Sequence, residues 1–337
     1  MNKKPIAIVT GGAGFIGSAM VDLLLDKGCI VRVIDNLCGG RESNLRQHIN
    51  NPDLSCEWVD IRNLNANSNL FSQAKYVFHF AGMGDIVPSI EKPIDYMSVN
   101  LLGTIQVLEA ARAAKVEKLV YAASSSCYGL ASVPTNENHI ISPQYPYALS
   151  KYMGEQACFH WQKVYGFAVN SIRIFNAYGI RVKTTGAYGA VFGVFFKQKL
   201  AKKPFTIVGD GSQKRDFVYV TDVARAFLAA ATTHKKGEVY NLGAGNPQSI
   251  NTLVELLEGE VVYVPKRPGE PDCTFADISK ITRELGWKPE VSFKEGVNNM
   301  LKEINYWEEA PLWDPASIEE ATKTWFKYMS EESASHV

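Results

Sequence analysis

The 337-residue chain has no surplus charge of either sign: 35 lysines and arginines balance 35 aspartates and glutamates. A nucleic-acid binder needs a basic surplus or a basic block to neutralise phosphates, so that class is excluded. No apolar run reaches the ~20 residues that span a bilayer; the longest, residues 187–196, is interrupted by Tyr188, Gly189 and Gly193. The cysteines at 29, 38, 56, 127, 158 and 273 form no Cys-x-x-Cys pair, which argues against a zinc site and against a disulfide framework. Residues 1–5 enter a strand-like run directly, without a signal-peptide core. No repeats or low-complexity segments occur. What is present is ordinary for a globular chain, 46% hydrophobic and 21% charged, with length for one large domain and a smaller lobe. The expectation is a soluble, reduced, cytoplasmic protein without a metal or a membrane partner.

Through the first half, short and continuously apolar runs at 6–9, 30–34, 57–59, 76–80 and 119–122 alternate with helical patterns at 15–27 and 95–114. Such strands separated by helices predict an α/β fold, a Rossmann-type doubly wound parallel sheet covered on both faces. Within 15–27, Ile16, Met20, Leu23 and Leu24 share one helix face. A helix over 146–164 and a strand over 168–174 extend the same pattern, so residues 1–178 are expected to form the sheet domain, with later segments returning to it. Beyond Tyr178 glycine and proline multiply. Residues 179–330 therefore read as a smaller, loop-rich lobe over the carboxyl edge of the sheet, with short helices at 223–231 and 251–258. Trp307, Trp313 and Trp325 predict a packed C-terminal helix pair, and 331–337 a frayed tail.

Residues 10–17, Thr-Gly-Gly-Ala-Gly-Phe-Ile-Gly, follow the first strand and open the first helix, and Gly12, Gly14 and Gly17 satisfy G-x-G-x-x-G. In that setting glycine permits the tight turn, the close approach of backbone to a pyrophosphate and tight helix–sheet packing. The helix N-terminus then offers free N–H groups to the phosphates. Asp35 ends the second strand, where a carboxylate accepts ribose hydroxyls and repels a 2′-phosphate, which predicts NAD over NADP. Arg41 is the nearby residue that would soften this preference.

Tyr147 and Lys151 stand four residues apart on one face of a helix. A phenol titrates near pH ~10 alone, and an adjacent ammonium lowers that. The pair therefore predicts a tyrosinate that removes a hydroxyl proton while a nicotinamide takes the carbon-bound hydride. Ser124, Ser125 and Ser126 end the fifth strand, at the edge where such folds bind ligands, and their hydroxyls can share that proton.

In this order the motifs resemble the extended short-chain dehydrogenase/reductase family, in particular its NAD-dependent nucleotide-sugar epimerases and dehydratases, over residues 6–297. The resemblance implies NAD contacts from Gly11, Gly14, Phe15, Ile16 and Gly17, from Asp35, Asn36 and Gly40, and from Asp60-Ile61 as the adenine-contacting pair. It adds Phe80, Ala81 and Gly82 after the fourth strand, Asn100 in Val-Asn-x-x-Gly-Thr, and Phe175 beside the nicotinamide. Ser124, Tyr147 and Lys151 become the catalytic residues, also touching the cofactor. For a nucleotide-sugar substrate it implies Ser125, Ser126, Asn176 and Thr274, with Arg215, Arg267 and Glu270 on the diphosphate and ribose.

Dehydratases and decarboxylases of this family carry an acid after the catalytic serine or threonine. Here Ser124 to Tyr128 holds none, which resembles the 4-epimerases. Cys127 lies one residue off the position used by 3,5-epimerases and reads as packing. The implied reaction is 4-epimerisation of a UDP-hexose. Tyr147 takes the 4-hydroxyl proton, Ser124 orients or relays it, Lys151 tunes the phenol and holds the nicotinamide ribose, and a 4-keto sugar turns over before reduction. Thr274, two before Ala276-Asp277, stands where a tyrosine would crowd an N-acetyl group, which favours UDP-N-acetylglucosamine/UDP-N-acetylgalactosamine, with or without UDP-glucose/UDP-galactose. Residues 183–196 depart from better-known epimerases, so a specialised surface-polysaccharide sugar stays open. A 4,6-dehydratase or 4-ketoreductase is the alternative; a non-catalytic dinucleotide sensor, which would typically lack the tyrosine or lysine, ranks last. Relatives pair the helices matching 95–114 and 146–164 into a homodimer. In the first, Leu101, Ile105, Leu108 and Arg112 form one stripe and Val99, Leu102, Gln106 and Glu109 another, one expected to cover the sheet.

Overall fold

A computed structural model describes residues 3–182 and 191–329. Most of the segment expected to differ from known epimerases, and the tail 331–337, lie outside the described residues.

The first half runs β1 (Ile6–Thr10), α1 (Phe15–Asp26), β2 (Ile30–Asp35), β3 (Leu54–Trp58), β4 (Tyr76–His79), α2 (Ile86–Glu91), α3 (Pro93–Met97), α4 (Thr104–Ala113), β5 (Lys118–Ser124), α5 (Pro146–Tyr165) and β6 (Val169–Ile174). There follow β7 (Asn176–Tyr178), α6 (Val191–Leu200), β8 (Phe205–Val208), β9 (Lys214–Arg215), β10 (Phe217–Tyr219), α7 (Val220–Thr232), β11 (Glu238–Leu242), β12 (Gln248–Ser249), α8 (Ile250–Leu257), β13 (Val261–Val264), α9 (Ser279–Leu285), α10 (Phe293–Lys302) and α11 (Pro315–Met329).

Seven parallel strands form one sheet in the order β11-β6-β5-β4-β1-β2-β3. The order reverses between β1 and β4, so the chain leaves those strands in opposite directions and opens a crevice at their carboxyl ends. Every residue of β1, β5 and β6 is buried, as a sheet covered on both faces requires. On one face Val9 and Val33 pack with Met20 and Leu24 of α1 and Phe227 of α7. On the other Ile8 and Val77 meet Val107, Leu108 and Ala111 of α4 and Cys158 of α5. Each large apolar side chain fully buried there contributes about 1.5–3 kcal/mol.

Three expectations need correction. The third strand occupies Leu54–Trp58, earlier than its apolar residues indicate, because pairing with β2 sets its register, from Val31 opposite Leu54 to Asp35 opposite Trp58. The helix over 95–114 is interrupted by a π-helical turn, Ser98–Gly103. Such a turn adds a residue and rotates the phase of the helix beyond it. The buried face is thus Thr104, Val107, Leu108, Ala110 and Ala111, and neither expected stripe is the core face. The C-terminal helices also do not pair: α11 crosses to α2, where the Thr324 hydroxyl donates to Glu91 at 3.0 Å.

The second lobe has its own aromatic core. Tyr178, Phe192 and Phe217 cluster with ring centroids 5.0–5.8 Å apart, and the fully buried Trp307 stacks on Phe196 at 4.7 Å. Short pairs β7–β10, β8–β13 and β9–β12 frame it. Among the described residues no helix is long and apolar enough to cross a membrane.

Candidate active site

The glycine loop fills the crevice beside β1. Gly11 has φ +69, and a Cβ on it would lie 2.7 Å from the Ala81 nitrogen; a Cβ on Gly17 would fall on the Gly11 carbonyl oxygen. The loop closes through the Gly14 amide to the Gly11 carbonyl at 3.0 Å. Helix α1 then begins at Gly14 and Phe15 with no side-chain cap and no acid in its first turn, so its first N–H groups face outward without a competing anion. Phe15 and Ile16 are partly buried on that turn.

Asp35 is buried and accepts the Ala13 amide at 3.0 Å and the Leu37 amide at 2.8 Å. Burial pushes its carboxyl up, and these backbone donors oppose that. Each oxygen keeps a second lone pair for ribose hydroxyls. Asn36 donates to Asp60 at 2.9 Å, and Arg62 grips the same carboxylate through Nε and Nη2 at 2.9 and 2.7 Å. The Arg62 bond dominates and holds Asp60 down at about 2. Ile61 is buried beside it. Gly40 passes so close that a Cβ there would lie 2.7 Å from the Ala13 carbonyl carbon. Arg41, the residue expected to soften the NAD preference, places its guanidinium carbon 5.6 Å from the Tyr306 ring centroid. No motif pointed to Asn44, yet its Nδ2 donates to the Ala13 carbonyl at 2.8 Å and braces the loop from below. This glycine cradle, uncapped helix and buried acid fit a dinucleotide.

On the facing strand, the Phe80 amide donates to the Thr10 carbonyl at 3.0 Å and the Ala81 amide to the Thr10 hydroxyl at 3.3 Å. His79 bridges the Thr10 and Thr104 hydroxyls at 2.6 and 2.9 Å; burial, aided by Lys151, pushes it down to about 3, so it is a neutral tie. Asn100 brackets Met83, accepting from its amide at 2.8 Å and donating to its carbonyl at 3.0 Å, and donates to Ser150 at 2.9 Å. Gly82 lies against the Asn100 side chain. Ser150 in turn donates to the Tyr147 carbonyl at 2.8 Å, so Asn100 steadies the turn that carries the tyrosine.

Tyr147 projects from the first turn of α5 with its phenol beside Ser124, whose oxygen accepts the Ser126 amide at 3.2 Å. Its ring is flanked by Tyr96 and Tyr145, each 6.4 Å between centroids. Burial raises the phenol, the Ser124 bond pulls it back, and the carboxylate of Asp85 raises it further. Lys151 is buried one turn further along α5. Its Nζ lies 4.5 Å from the Tyr121 ring centroid, and burial brings the ammonium down to about 8. Four-residue spacing sets a shared helix face, not contact between the two polar ends. Asp85 was invisible to a search of the serine run, because it arrives from the loop ahead of α2. Cys127 is buried and pushed up to about 12 by burial, an inert packing thiol as expected.

The second wall comes from the other lobe. A cleft of about 180 Å³ is lined by Asn176, Arg215, Arg267 and Glu270 together with Phe192, Phe195, Thr206, Val208, Gln213 and Ile250. Glu270 accepts from Arg215 at 2.7 Å and stands 4.0 Å from Arg267. Two guanidiniums against one carboxylate leave a net positive wall suited to a diphosphate. Ser125, Ser126 and Thr274 do not line it. Thr274 sits behind Asn176, donating to its Oδ1 at 2.7 Å and accepting the Asp216 amide at 3.3 Å. Ser125 and Ser126 are partly buried in the turn after β5. Phe175 anchors backbone to backbone on Leu242 at 2.9 Å, its ring 6.4 Å from Tyr128. Asp216, in the segment Arg215-Asp216-Phe217, accepts the amides of Ala244, Gly245 and Ala276 and joins three loops under this wall.

A glycine-cradled crevice at a sheet's switch point, with a tyrosine, serine and lysine at its carboxyl edge, defines a nicotinamide-dependent enzyme of the short-chain dehydrogenase/reductase class. The profile described as "NAD dependent epimerase/dehydratase family" matches residues 7–243, and the chain belongs to that family, whose cofactor is NAD. A Methanocaldococcus jannaschii relative with a provisional UDP-glucose 4-epimerase name is 38% identical over 303 residues, 87% of this chain and 96% of its own. The Methanobrevibacter ruminantium UDP-N-acetylglucosamine 4-epimerase, solved with UDP-N-acetylmuramic acid, is 31% identical with a TM-score of 0.84, covering 90% of this chain and 98% of that one. The Bacillus cereus UDP-glucuronic acid 4-epimerase, solved with UDP-glucuronic acid and NAD, is 32% identical with a TM-score of 0.83, covering 89% and 99%.

Proposed function

We propose that the protein is an NAD-dependent UDP-sugar 4-epimerase, interconverting gluco and galacto forms of UDP-N-acetylglucosamine, UDP-glucose or both. The observation that carries this reading is the Tyr147 phenol beside Ser124, on one helix with the buried Lys151, with no carboxylate in the turn 124–128. The names of the relatives support the UDP-sugar class.

Residues 11–17, Asp35, Asn36 and Asp60 would hold the adenosine and phosphates, and Lys151 and Phe175 the nicotinamide end. NAD, when bound, supplies the hydride acceptor and donor at C4 of the sugar. Tyr147 removes the 4-hydroxyl proton and returns it, with Ser124 orienting both oxygens. Arg215 and Arg267 hold the diphosphate while the sugar turns over. Thr274 acts through Asn176: a small side chain leaves room beside that amide for a substituent at C2. A homodimer is part of the proposal, because Leu102, Leu149 and Met153 are 56%, 41% and 37% exposed on the two helices that would pair; sedimentation velocity tests it.

Proton NMR of the purified protein with UDP-N-acetylglucosamine and UDP-glucose, without added NAD, tests the reaction. A new galacto-configured anomeric signal is expected. A 6-deoxy methyl doublet would instead mean dehydration and overturn the reading.

A further inference from the structure

The C-terminal helix reaches back to the site through one residue. Trp325 of α11 is 3% exposed, its ring lies 6.0 Å from that of Tyr145, and its Nε1–H donates to the Pro268 carbonyl at 2.7 Å. Tyr145 is stacked on Tyr147 with an interplanar angle of 7°. Pro268 lies between Arg267 and Glu270, both in the cleft wall. The helix is pinned on both sides of the indole, by Thr324 on Glu91 and by Met329 against Gly269. One side chain therefore touches both the tyrosine wall and the arginine wall, from a helix beyond the residues matched by the family profile.

We propose that Trp325 is a positioning residue, which sets the spacing between the proton-transfer tyrosine and the Arg267–Glu270 segment and so closes the sugar end of the cleft. A sugar that turns over between two half-reactions needs walls of fixed separation, since a misplacement of about 1 Å can cost as much as a hundredfold in rate. The indole supplies this in two separable ways. Its ring shields Tyr145, and through it Tyr147, from water. Its N–H ties down the Pro268 carbonyl. The kinetic part of the proposal rests on the UDP-sugar reading; the tie itself does not.

The test compares holoenzyme carrying Trp325→Phe, which keeps a ring but loses the N–H, with Trp325→Ala, which loses both. The measurements are kcat, KM and the kcat–pH profile for the UDP-sugar, and amide hydrogen exchange of residues 266–272 without sugar. Trp325→Ala should lower kcat by about tenfold or more and move the acidic limb to lower pH, because the Tyr147 phenol becomes better hydrated. Trp325→Phe should keep the pH profile, raise KM and speed exchange at 266–272. Folded variants with kcat within about twofold of the unmodified enzyme and an unchanged pH profile overturn the proposal. If the unmodified holoenzyme turns over no UDP-sugar, the functional reading fails and exchange decides alone. Faster exchange in Trp325→Phe then supports the tie, and unchanged exchange overturns it. Trp325→Phe likewise decides if the alanine variant does not fold.

Discussion

Replacing Tyr147 with phenylalanine removes one oxygen from a ring held on both sides. The contacts with Tyr96 and Tyr145 at 6.4 Å survive, while the phenol oxygen's interaction with Ser124 is lost. Ser124 still accepts the Ser126 amide at 3.2 Å. The stability cost is that of one ordinary hydrogen bond, about 0.5–1.5 kcal/mol. Catalysis loses far more. A positioned acid–base group contributes about 10²–10⁴-fold, or about 2.7–5.4 kcal/mol at about 1.36 kcal/mol per decade. Turnover followed by proton NMR should therefore fall at least about a hundredfold, with NAD content and thermal midpoint close to those of the unmodified protein. A folded, NAD-loaded variant within about threefold of full activity would refute the assignment of Tyr147.

The acidic limb of kcat reports the phenol, which must be deprotonated to act as base. Ser124→Ala removes the bond that lowers it and should move that limb to higher pH, whereas Asp85→Asn removes a charge that raises it and should move the limb lower; a common direction for both contradicts the electrostatics. Gly17→Ala places a methyl on the Gly11 carbonyl oxygen and should abolish copurification of NAD, measured by cofactor extraction, so a full complement would show the loop can yield. Glu155→Gln breaks a buried pair with Arg173 at 2.6 Å and should cost about 3–5 kcal/mol in urea unfolding. A loss under about 1 kcal/mol would mean Tyr128, at 2.8 Å, and its neighbours satisfy the guanidinium alone.

Much of the fold was legible because burial on both faces leaves a strong mark: β1 and the middle of β5 are apolar runs. Strand β3 was misplaced because an edge strand, half exposed, draws its register from its neighbour. The stripes on the 95–114 helix were wrong because the π turn shifts phase, and nothing in residues 98–103 announces it. At the site, the glycine loop and the Tyr147/Lys151 pair were readable from local spacing. Asn44 and Asp85 were not, since each acts on residues far along the chain.

The sequence by itself determined the local chemistry: a glycine-lined turn before a helix, an acid after the second strand, and a phenol and an ammonium on one helical face. These depend on short-range geometry, which residue type and spacing dictate. Only the tertiary structure decided what each group does there. Burial raises the Tyr147 phenol and Asp85 adds to it; Thr274 stands behind Asn176; and a tryptophan near the C-terminus lies between the two walls. Desolvation and long-range contact depend on which elements pack together, and that is settled when the whole chain closes around its core.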